Sequence, residues 1–218
     1  PKGSFATRFT LPEDDLEIAV EGAGQIPLPV LAATTRKLQK IAQPARYGLK
    51  DQTLLDPTVR DTWEIPGDRV TISRQWRPIL DKTLARIRRD LGLPLGCDLE
   101  ARLHNLLVYS TGQFFATHQD SEKEDGMIGT LVVGLPSRFK GGEFVIRHHD
   151  ESLVSTGSAS ELSVVAFYAD CRHEIRPITS GHRVVLTWNL IVRKAAVQDA
   201  PSAARIDVLA ERMRSWFE

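Results

Sequence analysis

The stretch FFATHQD (114–120) sets His118 and Asp120 two residues apart behind a run that reads as a strand. Strand side chains alternate, so both would point to one side while Gln119 turns away. An imidazole and a carboxylate converging in this way are two arms of a metal claw that needs a third. Of the remaining histidines (His104, His148, His149, His173 and His182), His173 is the best candidate. It opens HEIRPIT directly after the apolar run LSVVAFYAD. Ten residues further on, Arg183 begins RVVLTWNL, an almost wholly apolar run in which a guanidinium needs an anionic partner. Its planar fork suits a carboxylate gripped by two parallel hydrogen bonds.

These residues need a frame. From about residue 103 the chain runs through short segments of period two or continuous apolar character: LHNLLVYS, QFFATHQD, IGTLVVGLP, GEFVIRHH, LSVVAFYAD, HEIRPIT and HRVVLTWNLIV. Turn signals separate them, and seven or eight short strands at this spacing predict a sandwich or jelly-roll barrel. Upstream, PVLAATTRKLQKIAQPA (29–45) has helical spacing, with Pro29 at its start and Pro44 at its stop. VRDTWEIPGDRVTIS (59–73) reads as strand, turn, strand. WRPILDKTLARIRRDLGL (76–93) is the clearest helix, its stripe being Ile79, Leu80, Leu84, Ile87 and Leu91, with Gly92 as the C-terminal stop. Residues 1–30 read as an extended arm with one short strand, and PSAARIDVLAERMRSWFE as a final helix. The expectation is one domain over 1–218: helical and β support in 1–100, a β-core in 101–192 and a helix in 193–218.

With these elements in order, the sequence resembles the Fe(II)- and 2-oxoglutarate-dependent dioxygenases, in their prolyl 4-hydroxylase-like branch. YSTGQFFATHQD resembles the branch's tyrosine-x-x-glycine segment leading into its HxD pair. GGEFVIRH resembles its Gly-Gly-Glu strand, and FYADCRHEIRPITSGHRVVLTWNL its closing segment. The resemblance covers roughly residues 100–192. It implies a mainly β fold with flanking helices, the double-stranded β-helix or jelly roll. It implies Fe(II) held by His118, Asp120 and His173, with 2-oxoglutarate as co-substrate, its far carboxylate on Arg183, and O2 as oxidant. Tyr109 and Thr187 match positions that can assist the co-substrate. The implied reaction is hydroxylation of an aliphatic C–H bond with oxidative decarboxylation of 2-oxoglutarate to succinate. One departure stands out. The strand after HxD, TLVVGLP, lacks the hydroxylated aromatic that many prolyl hydroxylases aim at the far carboxylate, which leaves Thr130, Thr187 or water for that task.

The substrate implied is a prolyl or other amino-acid side chain in a protein or peptide, with a free amino acid or small metabolite as the alternative. A non-catalytic jelly-roll binding module and a zinc hydrolase built on the same three ligands are the competing readings. Nucleic-acid demethylation is disfavoured, because Asn189 stands where repair-type demethylases carry a second arginine. Charge agrees: 28 Lys and Arg balance 28 Asp and Glu, so the basic footprint of a nucleic-acid binder is missing. No apolar run approaches bilayer length. PKGSFATRFT carries no secretory h-region, and the two distant cysteines, Cys97 and Cys171, fit a reducing cytoplasm rather than a disulfide framework. His148 and His149 in RHHDE are adjacent and would face opposite ways, so they read as a strand end rather than a rival metal site. The charged run SEKEDG (121–126) follows the claw and is expected either as a lid over it or as a solvated face.

Overall fold

The structure is a computed structural model that describes residues 3–49, 52–94 and 96–193. The final helix expected over 193–218 lies outside the described residues except for Arg193, which closes a strand. The outcome is mainly β with two flanking α-helices, in agreement with the expected jelly roll.

From Asp98 onward the chain alternates between two antiparallel sheets. Asp98–Ser110, Met127–Gly134, Glu161–Tyr168 and Ile178–Arg193 form the centre of the larger one. Phe114–His118, Phe144–His148, Glu151–Ser155 and Arg172–Ile175 form the smaller. This shuttling makes a double-stranded β-helix. The N-terminal region is woven into both sheets. Ala6–Pro12 pairs with Glu161–Tyr168 and closes that edge, Trp63–Pro66 extends the larger sheet beyond Asp98–Ser110, and Arg60–Asp61 extends the smaller beyond Phe114–His118. The arm therefore holds more than the single strand expected of it, since Ile18–Val20 and Gly24–Ile26 also pair, in a small sheet with Val70–Ile72.

Period two explains the layering. Along Asp98–Ser110, Leu106 and Val108 face the helices, in one core with Leu131, Val133, Val184 and Leu186. The intervening Leu107 and Tyr109 face the space between the sheets, with Val132, Val165, Phe167 and Val185. Helix Trp76–Asp90 lays Leu80, Leu84 and Ile87 on the first core. Each such side chain, fully buried, contributes about 1.5–3 kcal/mol. That helix ends as its sequence suggests: Gly92 takes φ +75°, and Leu93 N–H reaches back to the Arg88 carbonyl at 2.9 Å. Helix Ala32–Ile41 stops short of Pro44, as expected, and Pro44 joins a short strand against Trp63; the helix starts three residues after Pro29. HEIRPIT is not one strand. It breaks at Arg176-Pro177, where proline offers no N–H, and Ile178 already belongs to the last strand.

Candidate metal and co-substrate site

His118 and His173 are direct partners on neighbouring strands of the smaller sheet, with ring centroids 4.1 Å apart. Asp120 completes the cluster. One ligand atom from each of the three lies within 4.8 Å of the others, the only such group among the described residues. The route differs from the strand argument. Phe114–His118 ends at His118 after an irregularity in its pairing with Arg172–Ile175, and Asp120 comes from the loop beyond. Gln119 points elsewhere, its side-chain amide donating to the Asp170 carbonyl. Convergence therefore comes from a strand end, where the backbone is free to turn the carboxylate back.

The hydrogen bonds prepare these ligands for a cation. His118 Nδ1 lies 2.9 Å from the Ala116 carbonyl, and His173 Nδ1 lies 3.1 Å from the Cys171 carbonyl. Carbonyls only accept, so both Nδ1 atoms carry a proton, which leaves Nε2 as the atom of each ring able to serve as a ligand. Burial, then the neighbouring His173, pushes His118 down to about 3, so its ring is neutral at physiological pH. Asp120 accepts the Thr130 hydroxyl at 2.6 Å through Oδ2, and its Oδ1 lies 3.7 Å from His173 Nε2. Burial opposes its ionised form, but His173 and the Thr130 hydroxyl outweigh that and hold it below the usual carboxylate range. Two imidazoles and one carboxylate on a single side suit a divalent ion that retains free coordination positions.

Arg183 projects into the same pocket from the larger sheet, 2 % exposed. It lies opposite Tyr109 in the ladder, and Nη1 donates to the Gly142 carbonyl at 3.0 Å. Its guanidinium carbon lies 5.6 Å from the Phe144 ring centre. Among the described residues, no carboxylate pairs with it. Burial pulls it down to about 10, which leaves it charged at neutral pH. Gly142, with φ +65°, aims that carbonyl, and a Cβ there would meet Ile178 Cδ1 at 2.2 Å. The Gly-Gly pair of GGEFVIRH is thus a backbone requirement.

Of the expected helpers, Tyr109 is fully buried beside Arg183, its phenol raised by burial. Thr187 lines the pocket, but its hydroxyl donates to Asn105 Oδ1 at 2.5 Å. Thr130 orients Asp120 instead of reaching toward Arg183. Cys171 is a buried filler whose carbonyl serves His173. Asn189 donates to Glu124, which ties down the 121–126 loop. His148 ends its strand stacked on Phe5, and His149 turns the chain at φ +50°, away from the metal cluster.

Four pocket residues escaped sequence reasoning: Arg60, His104, Phe115 and Lys123. Phe115 stacks on His118, centroids 3.5 Å apart, and the Arg60 guanidinium covers Phe115 at 4.5 Å. Arg60 shares an inward face with Thr62, and both are buried, which the pairing of VRDTW with Phe114–His118 brings about.

A double-stranded β-helix with an open His-Asp-His cluster and a buried, unpaired arginine in one pocket defines a class of non-heme metal site. Residues 104–190 match the profile of the 2OG-Fe(II) oxygenase superfamily. No curated protein matches the chain. Among solved structures, a Pseudomonas putida prolyl-4-hydroxylase is 19% identical, with 85% of this chain and 92% of that one aligned and a TM-score of 0.53. A Burkholderia pseudomallei oxidoreductase of the 2OG-Fe(II) oxygenase family is 19% identical over 77% of this chain and 82% of its own, with a TM-score of 0.47. The viral collagen prolyl hydroxylase of Paramecium bursaria Chlorella virus-1 is 15% identical over 86% and 96%, with a TM-score of 0.49. At such identities the likeness to the Pseudomonas enzyme bears on the fold alone.

Proposed function

We propose that this chain is a single-domain Fe(II)- and 2-oxoglutarate-dependent dioxygenase that hydroxylates an aliphatic C–H bond. The substrate class is an amino-acid side chain, prolyl or other, in a peptide or protein, or as a free amino acid or small metabolite. The observation that carries this reading is Arg183. A buried guanidinium without a carboxylate partner is costly to keep, and it faces the pocket that holds the three ligands. A zinc hydrolase would leave it without a purpose.

Fe(II) would be held by His118 Nε2, His173 Nε2 and Asp120 Oδ1. When bound, it and 2-oxoglutarate supply the oxidising chemistry, with O2 consumed, succinate and carbon dioxide formed, and a hydroxyl group delivered to the substrate. The protein's part is positional. The Ala116 and Cys171 carbonyls hold the two rings in one tautomer, and Thr130 keeps one carboxylate oxygen occupied so that the other is presented. Arg183 binds the far carboxylate of the co-substrate, its fork aimed by the Gly142 carbonyl and Tyr109 beside it. Leu107, Val132, Phe144 and Phe167 line the pocket and keep water from the reacting atoms. No helix among the described residues is long and apolar enough to cross a membrane. Two free cysteines, one of them buried, agree with a reducing, cytoplasmic setting.

The test is anaerobic titration with Fe(II) and 2-oxoglutarate, watching for the weak visible charge-transfer band of the chelate. The expected result is a band that is lost in His118→Ala and in Arg183→Ala, and succinate formation once oxygen is admitted. No band, with hydrolysis by the zinc-loaded protein, would overturn the reading.

A further inference from the structure

Arg183 is not the only buried cation in the pocket. Arg60 is 8 % exposed, and its Nε has no hydrogen-bond partner. Its Nη1 donates to the Arg46 carbonyl, a neutral acceptor. Lys123 reaches the pocket from the loop after Asp120, with Nζ 2.8 Å from His104 Nε2. An ammonium only donates, so His104 must accept there as a neutral ring that does not offset the lysine charge.

The carboxylates nearby are otherwise engaged. Asp120 belongs to the metal cluster. Asp61, adjacent to Arg60 on its strand and so turned the other way, accepts the Gln113 amide at 2.7 Å. Glu64 lies within electrostatic reach of Lys123 but accepts from Asn105 at 3.4 Å. Among the described residues, neither Arg60 nor Lys123 forms an ion pair with a carboxylate.

The two arginines flank Tyr109 but rest on different rings. Arg183 lies against Phe144 and Phe139. Arg60 lies over Phe115, whose ring stacks on the metal ligand His118. Charge bookkeeping on the proposed function leaves a surplus. A divalent ion with Asp120, and the dianionic co-substrate with Arg183, sum to zero; of the remaining charges Lys123 is offset in part by Glu64, so Arg60 is the buried cation left over. Arg60 and Lys123 line the same pocket as the three ligands and Arg183.

We propose that Arg60 and Lys123 form a carboxylate subsite for the primary substrate, so that the carbon to be hydroxylated belongs to an organic acid. This rests on the dioxygenase reading and narrows it. The guanidinium, braced on Phe115, supplies directional donors, and Lys123 at the mouth adds a mobile charge. The acid comes from one of two sources, a free acid or amino-acid carboxylate, or an acidic side chain within a peptide.

Calorimetry tests this with defined acid and amide pairs: isobutyrate against isobutyramide, N-acetyl-L-proline against its amide, and N-acetyl-L-glutamic acid N-methylamide against its glutamine counterpart. Each pair is titrated into the protein loaded with Mn(II) alone, and again with saturating 2-oxoglutarate so that Arg183 is filled. Acids are expected to bind at least tenfold tighter than their amides in both conditions. A preference confined to the first two pairs assigns a free carboxylate, and one confined to the third assigns a peptide side chain. Arg60→Met should erase the preference and Arg60→Lys restore part of it, while 2-oxoglutarate affinity stays within twofold. Lys123→Met, at an exposed position that does not threaten folding, should cut the preference severalfold. Equal binding of acids and amides by the native protein would overturn the subsite, as would loss of 2-oxoglutarate affinity in Arg60→Met as large as that in Arg183→Met. If 2-oxoglutarate fails to bind at all, the dioxygenase reading falls, and the Mn(II)-only titration still decides the subsite.

Discussion

Thr130 gives its hydroxyl proton to Asp120 Oδ2 at 2.6 Å, from the sheet opposite the one that carries both imidazoles. The metal cluster is therefore clamped from two layers. Thr130→Val keeps shape and removes the donor, so Asp120 becomes free to rotate. Metal affinity should fall about 10–100-fold, with the fold intact by circular dichroism. Calorimetry with Mn(II) measures it.

Arg183→Met should separate stability from binding. The native arginine is buried with one carbonyl acceptor and no anion, so its removal leaves no opposite charge stranded. The melting temperature of the unliganded variant is expected to equal or exceed that of the native protein. Its 2-oxoglutarate affinity should drop by about 2–5 kcal/mol. A melting curve and a co-substrate titration of one preparation give both answers.

Gly142→Ala should act through the backbone. At φ +65° an L-residue is strained, and the added methyl would overlap Ile178 Cδ1. The expected cost is about 1–3 kcal/mol of stability. Because the Gly142 carbonyl aims Arg183, 2-oxoglutarate affinity should weaken as well. Chemical denaturation and the co-substrate titration check the two parts.

His104 gives the stability of the metal-free protein a pH dependence. Burial first, then Lys123 and Arg60, lower it from its ordinary 6.5 to about 4. Between these values the unfolded chain takes up a proton that the folded chain refuses. The stabilisation is therefore complete above pH 6.5 and is lost progressively as pH falls toward 4. Thermal melts across this window should show the decline; His118, lowered further to about 3, adds to it, so His104→Gln should reduce the slope without abolishing it.

Much of this site was legible in the sequence because its pieces sit on regular periods. LHNLLVYS reads as a strand, and the structure makes it one, with Leu106 and Val108 on one side and Leu107 and Tyr109 on the other. His173 stood out because it follows an apolar run, and Arg183 because it begins one. Arg60 did not, because its place depends on the pairing of Arg60 with Phe115, a contact between distant segments that no local pattern encodes. Lys123 was hidden for a different reason. In SEKEDG every residue looks solvated, and only the Lys123–His104 hydrogen bond distinguishes it. Asp120 converged for a reason other than strand alternation, since pairing stops at His118 and the loop turns the carboxylate inward. The Thr130 role required knowing that Met127–Gly134 passes across the cluster.

The two-faced central sheet has a consequence for how this protein tolerates change. Leu106, Val108, Val184 and Leu186 touch the helices, while Leu107, Tyr109, Arg183 and Val185 touch the reaction chamber, on the same two strands. A one-residue step along either strand thus crosses from scaffold to chemistry. The sheet works as a partition wall, so the outer face can be reworked for robustness, or the inner one for a new substrate, with each renovation confined to its own room.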